Sequence, residues 1–422
     1  MFDRLPEYPW EQLKPYSAKA ALHERGAVDL SVGSPVDPTP SIIQDALSAS
    51  SNAPGYPSTG GSPEFKAAVI EWFARRRGVS GLAPAQVMPT IGSKELISWL
   101  PLMMGLGPGD VVVQPKVAYT AYVVGAAMCG AEIVSEDDPA LWPANSKLIW
   151  INSPGNPDGR VLSVAEMKAA VDRARELGAL LASDECYAEL GWDEWADQLI
   201  PSVLDPRVCG DSHENVLAVY SLSKQSNLAG YRAAFAVGEA SLIKALVNLR
   251  MHSGLNTPGP VQRVIAVALA DSEHVQIAKE LYRERREVLL AAVREFGFEL
   301  SASQAGLYLW ATLGEDCWKT VDRMADLGIV VVPGVNPGIF DVGCGFGMVV
   351  VVVVVLDVVA DASGSLMGDA SSGLLITFTE SAYSGSVISI TIDRRGNTLV
   401  TFPTRPAAFI TGIPTFIPLS LP

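Results

Sequence analysis

A chain of 422 residues is long enough to bury a large core and to divide into a larger and a smaller domain. Hydrophobic residues at 49% and charged residues at 18% mark a soluble globular protein. A formal net charge of −15 leaves no basic stripe for nucleic acid or an anionic membrane, and an acidic substrate would need local cations.

The opening stretch, MFDRLPEYPW, is charged and proline-rich without the apolar run of a secretion leader. From about residue 40 helical and strand patterns alternate. PSIIQDALSAS opens like a helix, and GSPEFKAAVIEWFARRRGV is an amphipathic helix begun by Ser62 and Pro63. VVVQP (111–115), KLIWINSP (147–154), ALLASDE (179–185) and NVLAVYSLSK (215–224) are short apolar runs that end in polar residues. Each follows a helical segment, so the pattern predicts a mostly parallel sheet with crossover helices. Functional groups in such sheets gather at the carboxyl ends of the strands. A long helix is predicted over 272–297, then a strand (306–313), a helix (316–328) and a strand (329–334), which read as a second, smaller α/β unit.

Beyond residue 336 the character changes. Residues 337–422 hold six acidic and three basic residues, about half the charge density of the preceding chain, and Lys319 is the last lysine. Seven consecutive valines occupy 349–355. With their neighbours they make nine uninterrupted apolar residues, too few for the roughly 20 of a membrane-spanning helix. As a strand, the run has no readable partner pattern around it.

The five cysteines are scattered and form no CxxC pair, which reads as reduced thiols in the cytoplasm. Four histidines without ligand spacing point away from a metal site.

The chemistry concentrates at the strand ends. Lys224, in SLSKQSNLAGYR, follows an apolar strand, where a lysine of lowered pKa can form a Schiff base with an aldehyde cofactor. Ser221, Ser223 and Arg232 flank it with groups suited to a phosphate. A solvated loop lysine beside a surface arginine has the same local sequence. Asp184, in SDECY, ends another strand, where a carboxylate can hold a pyridinium nitrogen or simply cap a turn. Tyr187 and Asn156 (in NSPGNPDG) can donate to a cofactor's phenolic oxygen, although core tyrosines and turn asparagines are common. Ser93 and Lys94 in PTIGSKELI offer backbone N–H groups at a helix start. Tyr119, in AYTAY, can stack on a ring or pack beside a strand.

In chain order, LSVGSPVDPTP, APGYPSTGGSPEFKAAV, PTIGSKELI, AYTAYVVGA, NSPGNPDG, SDECYAELGW and SLSKQSNLAGYR resemble the fold-type I, class I/II pyridoxal-phosphate (PLP) aminotransferases, from about residue 5 to 334. LAVYSLSKQSNLAGYRAAF, SDECYAELGWD and QAGLYLWATLGEDCW resemble most closely the succinyldiaminopimelate aminotransferases of actinobacteria.

The resemblance implies an α/β fold, with a large domain around a mostly parallel sheet and a smaller α/β domain built from both chain ends. The expected divisions are an N-terminal segment (1–45), a large PLP-binding domain (46–275), a small domain (276–336) and an atypical tail (337–422). It implies Lys224 as the Schiff-base lysine and proton shuttle, Asp184 on the pyridine nitrogen, and Asn156 and Tyr187 on its phenolic oxygen. Tyr119 would stack on the ring, and Ser93, Lys94, Ser221 and Arg232 would hold the phosphate. Tyr56, in GYPSTGG, would reach the neighbouring subunit's phosphate in a homodimer. Gly33 would lie in the mobile segment beside the substrate carboxylate. The reaction implied moves an amino group between glutamate/2-oxoglutarate and N-succinyl-diaminopimelate or its 2-oxo acid, in lysine biosynthesis. Its substrates are small amino and keto acids, with no nucleic acid or membrane partner.

One expected residue is missing. The family clamps the substrate α-carboxylate with an arginine some tens of residues after the strand at 329–334. Here the next arginines are Arg394, Arg395 and Arg405, none in a matching motif. Either a rebuilt tail recruits one of these, or the tail, frameshifted or disordered and β-rich, has left the ancestral frame. The alternatives on this scaffold are an aspartate- or aromatic-type aminotransferase, a C–S lyase, or a catalytically impaired PLP-binding protein.

Overall fold

The structure is a computed structural model that describes residues 5, 9–24, 26–334, 348–352, 374–379, 387–392 and 398–401. It divides into two compact units, Met1–Leu356 and Asp357–Pro422.

The first unit begins with α1 (Pro9–Ala21), β1 (Val28–Asp29), α2 (Ser41–Ala49), α3 (Pro63–Arg76), β2 (Val87–Ile91), α4 (Ser93–Met103) and β3 (Val111–Gln114). It continues through α5 (Ala121–Cys129), β4 (Glu132–Ser135), β5 (Ser146–Asn152), α6 (Val164–Leu177), β6 (Leu180–Asp184), α7 (Pro206–Cys209) and β7 (Val216–Ser221). Next come β8 (Ala233–Gly238), α8 (Ala240–His252), α9 (Gly259–Ala270), α10 (Glu273–Phe296), β9 (Glu299–Ser301) and β10 (Tyr308–Thr312). Then follow α11 (Cys317–Asp326), β11 (Ile329–Val330), β12 (Val332–Pro333) and β13 (Met348–Val352).

Seven strands form the central sheet in the order β2-β8-β7-β6-β5-β3-β4. Strands β4, β3, β5, β6 and β7 run parallel, while β8 is antiparallel to both β7 and β2. Six of the seven strands therefore point the same way, and their carboxyl ends share one edge. Apart from the edge strand β4, the strands are mostly buried on both faces, as a sheet covered by helices on both sides requires. In β5, Ile149 and Ile151 face a core shared with α3, α6 and α9, whereas Leu148 and Trp150 face one shared with α4, α5 and α8. Ser62 caps α3 by accepting from the Phe65 N–H, with Pro63 in the first turn, as its sequence predicts.

A four-stranded antiparallel sheet, β12-β13-β10-β9, forms beside α10 and α11, and β1 pairs in parallel with β11. The stretch 329–334, expected as one strand, contributes instead to two sheets. The start of the valine run corrects the expectation of a strand without partners. As β13 it lies between β10 and β12, with Tyr308 opposite Val352, Ala311 opposite Val349 and Pro333 opposite Val349. Val349 is fully buried.

In the second unit, β14 (Leu374–Thr379), β15 (Val387–Ile392) and β16 (Thr398–Thr401) form an antiparallel meander. Among the described residues, no helix is long and apolar enough to cross a membrane.

Candidate active site

The carboxyl edge of the central sheet assembles most of the residues singled out from the sequence. At the end of β2, Gly92 takes φ +73° and opens α4, so that Ser93 and Lys94 form its first turn. Its N–H donates to the Arg232 carbonyl at 2.8 Å, and a Cβ at this position would lie 2.1 Å from the Arg232 guanidinium. Only glycine lets that guanidinium settle over the helix start. Arg232 itself has φ +56° and is fixed by a 2.7 Å bond from Nη1 to the Ala229 carbonyl. Ser221, the last residue of β7, pairs its hydroxyl with that of Ser223 at 2.8 Å. Helix N–H groups, two hydroxyls and a guanidinium make a cup for a dianionic phosphate.

Lys224 stands in the turn after β7, and its amine donates to the Gly33 carbonyl. Burial pulls its pKa down from 10.5 to about 8; the neighbouring Cys186 thiol opposes that fall and the Arg232 charge adds to it. Asp184, at the end of β6, is buried. Its carboxylate accepts from the Tyr122 hydroxyl and from the Cys186 N–H, both at 3.2 Å. Burial raises its pKa, and neither partner is a cation, so a ring N–H⁺ would offset the cost of its charge.

Asn156 lies in the turn after β5. Its N–H donates to Asn152 Oδ1 at 2.7 Å, and the Asn152 amide nitrogen donates to the carbonyls of Pro154 (3.0 Å) and Asp184 (2.9 Å). Tyr187 is buried, and burial keeps its hydroxyl protonated by pushing its pKa well up. That hydroxyl is 2.9 Å from the Tyr308 hydroxyl. Tyr119 is half-buried beside this edge. Its ring meets Tyr122 edge-on at 6.1 Å, and the Lys94 ammonium lies 6.0 Å from its centroid.

The Gly33 segment is fastened from behind. The Arg285 guanidinium, on α10, donates to both carboxylate oxygens of Asp37 at 2.6 Å. Tyr282 on the same helix donates to Asn227 Oδ1 at 2.9 Å, with the Lys224 carbonyl 3.3 Å from the same hydroxyl, while Asn227 donates to the Pro38 carbonyl at 3.3 Å. One helix thus braces both the lysine turn and the N-terminal segment.

Tyr56 is not brought into this cluster; it is fully exposed. Arg394, Arg395 and Arg405 lie outside the described residues. Four residues of the site escape a reading of the sequence: Tyr122, Asn152, Cys186 and Tyr308. The Cys186 N–H donates to Asp184 and its thiol lies near both Asp184 and Ser93, between the two ends of the site. Tyr122 stacks on Trp150 at 5.1 Å and holds Asp184 from below.

The sequence and the fold have counterparts among known proteins. Residues 25–347 match the family model for aminotransferase class I and II. The chain belongs to that family. It is 48% identical over 331 residues to the 4-dedimethylamino-4-oxo-anhydrotetracycline transaminase OxyQ of Streptomyces rimosus, covering 78% of this chain and 91% of that one. It is 32% identical over 359 residues to the LL-diaminopimelate aminotransferase of Desulforudis audaxviator, covering 80% and 90%. An aminotransferase of solved structure from Neisseria meningitidis superposes with a TM-score of 0.75 at 28% identity, covering 84% and 94%.

The protein is therefore a PLP-dependent transaminase of fold type I. The residues present fit that cofactor. The cup at Gly92 and Arg232 suits a phosphate, the buried Asp184 suits a pyridinium, and a lysine of lowered pKa lies within the same cluster.

Proposed function

We propose that this aminotransferase exchanges an amino group between glutamate/2-oxoglutarate and N-succinyl-diaminopimelate or its 2-oxo acid, as a cytoplasmic homodimer serving lysine and diaminopimelate biosynthesis. The observation that carries a transfer chemistry is the Lys224 amine, enclosed and shifted to about 8, within one cluster with Asp184, Asn156 and Tyr187. The motifs quoted above and the similarity to an LL-diaminopimelate aminotransferase support the substrate class.

When bound, PLP supplies an electron sink for the electrons of the substrate's Cα–H bond. The chain's own residues then divide the work. Lys224, half neutral at about pH 8, would hold the cofactor and in its free form carry the Cα proton. Asp184 keeps the ring nitrogen protonated, and Asn156 and Tyr187 hold the phenolic oxygen. Ser93 and Lys94 through their N–H groups, with Ser221 and Arg232, hold the phosphate, and Tyr119 covers the ring. Gly33 would lie beside the substrate carboxylate. Tyr56, exposed on its own chain, is free to reach the partner subunit's phosphate.

A second reading follows from the 48% identity to a transaminase whose name specifies a 4-oxo ring compound, namely a ring ketone as amino acceptor. With glutamate as donor, 2-oxoglutarate release should be measured against the 2-oxo acid of N-succinyl-diaminopimelate, oxaloacetate and a polycyclic ring ketone. The first should be favoured by about 10⁴-fold in kcat/KM, the scale on which a site built for polar groups rejects analogues lacking them. Preference for the ketone would replace the substrate assignment.

A further inference from the structure

Tyr308 has no role in the site as read from the sequence, yet it touches three of that site's members. Its hydroxyl lies 2.9 Å from that of Tyr187, and the Asn156 side chain is near enough to pull its pKa down. The two tyrosine rings meet edge-on, with centroids 5.7 Å apart. A Cβ built on Gly33 would lie 2.9 Å from the same hydroxyl, so the segment that receives the Lys224 amine passes directly against it.

We propose that Tyr308 is a positioning residue, which gives a hydrogen bond to Tyr187 and so directs the Tyr187 proton at the cofactor's phenolic oxygen. Either hydroxyl can donate across this contact, and the direction follows from the role of Tyr187. A hydroxyl has one proton, so Tyr187 can donate to a third group only where it accepts from Tyr308. With the Tyr308 proton on the Tyr187 oxygen, the Tyr187 proton is free for a third group. Hydrogen bonds arranged in one direction strengthen each other in a buried site. Burial keeps both phenols protonated, so both remain donors across the physiological range.

The placement of Tyr308 depends on the small sheet. It is the first residue of β10, directly opposite Val352 at the end of β13. The first part of the valine run therefore supports the strand from which this side chain reaches the site.

The inference rests on Tyr187 serving the phenolic oxygen, and the test separates the two. The PLP-loaded wild type, Tyr187→Phe, Tyr308→Phe and the double variant are titrated with pH, following the midpoint of the visible cofactor band. Tyr187→Phe should raise the midpoint because the anionic oxygen loses a donor. Tyr308→Phe should raise it by a smaller amount, about 0.5 pH unit, as expected for a weakened rather than lost hydrogen bond. The double variant should match Tyr187→Phe, because Tyr308 acts through it. A shift in Tyr187→Phe with none in Tyr308→Phe overturns the relay. Fully additive shifts overturn it too, since Tyr308 would then act on its own. No shift in either single variant overturns the assignment of Tyr187 itself. Phenylalanine preserves the ring packing, and an unchanged melting temperature excludes a loss of fold.

Discussion

Lys224 is held where its charge is costly, and the consequences can be read with pH. Its pKa of about 8 lies below the ordinary 10.5, so between those values the unfolded chain binds more protons than the folded one. The cofactor-free protein should gain stability as pH rises through that window, and Lys224→Met should lose this gain in denaturant titrations. Attachment of PLP needs the neutral amine, so its rate should rise with pH around a midpoint of about 8; a midpoint near 10 would contradict the burial argument. Lys224, Asp184, Asn156 and Ser221 were legible because each is a polar residue interrupting an apolar run at a strand end. Tyr122, Cys186 and Tyr308 were not, because an aromatic or a cysteine inside an apolar segment has the pattern of core packing. Only the folded chain turns their hydroxyl and thiol toward Asp184, Ser93 and Tyr187.

At the level of elements, strands with polar ends could be placed from sequence, while β8 was missed. Its residues, AAFAVG, are mostly small and end in no distinctive chemistry, so its identity comes from pairing with β2 and β7. β13 was missed for a different reason. Valine favours strands through its branched Cβ, but a run of identical residues carries no alternation from which a face or register can be read. The register comes from β10 and β12 instead. Because Val349 is fully buried between them, Val349→Ala should cost about 1–2 kcal/mol in urea unfolding, the scale of deleting buried methyl groups. Val349→Asp should cost more, since an unpaired charge would be buried. Equal stability of all three proteins would mean that β13 does not pack as described.

For the whole molecule, a net charge of −15 makes the local cations matter, because anionic substrates approach against the global field. Arg232 and Lys94 lie at the carboxyl edge of the central sheet, where they would meet an anionic ligand. If Tyr56 serves the partner's site, variants Lys224→Ala and Tyr56→Ala should each be impaired alone, yet recover activity on mixing, since one site of a mixed dimer carries both native residues. No recovery after subunit exchange, confirmed by labelled mixed dimers, would place Tyr56 outside the site. The central claim is that this chain transaminates without an arginine between residues 335 and 393, where the family's carboxylate clamp is expected. The glutamate half-reaction tests it most directly. With PLP loaded and no acceptor present, glutamate should abolish the visible cofactor band and release about one equivalent of 2-oxoglutarate per chain, as a ping-pong transaminase must. A band that stays unchanged in saturating glutamate, with no 2-oxoglutarate formed, would contradict transamination by this chain.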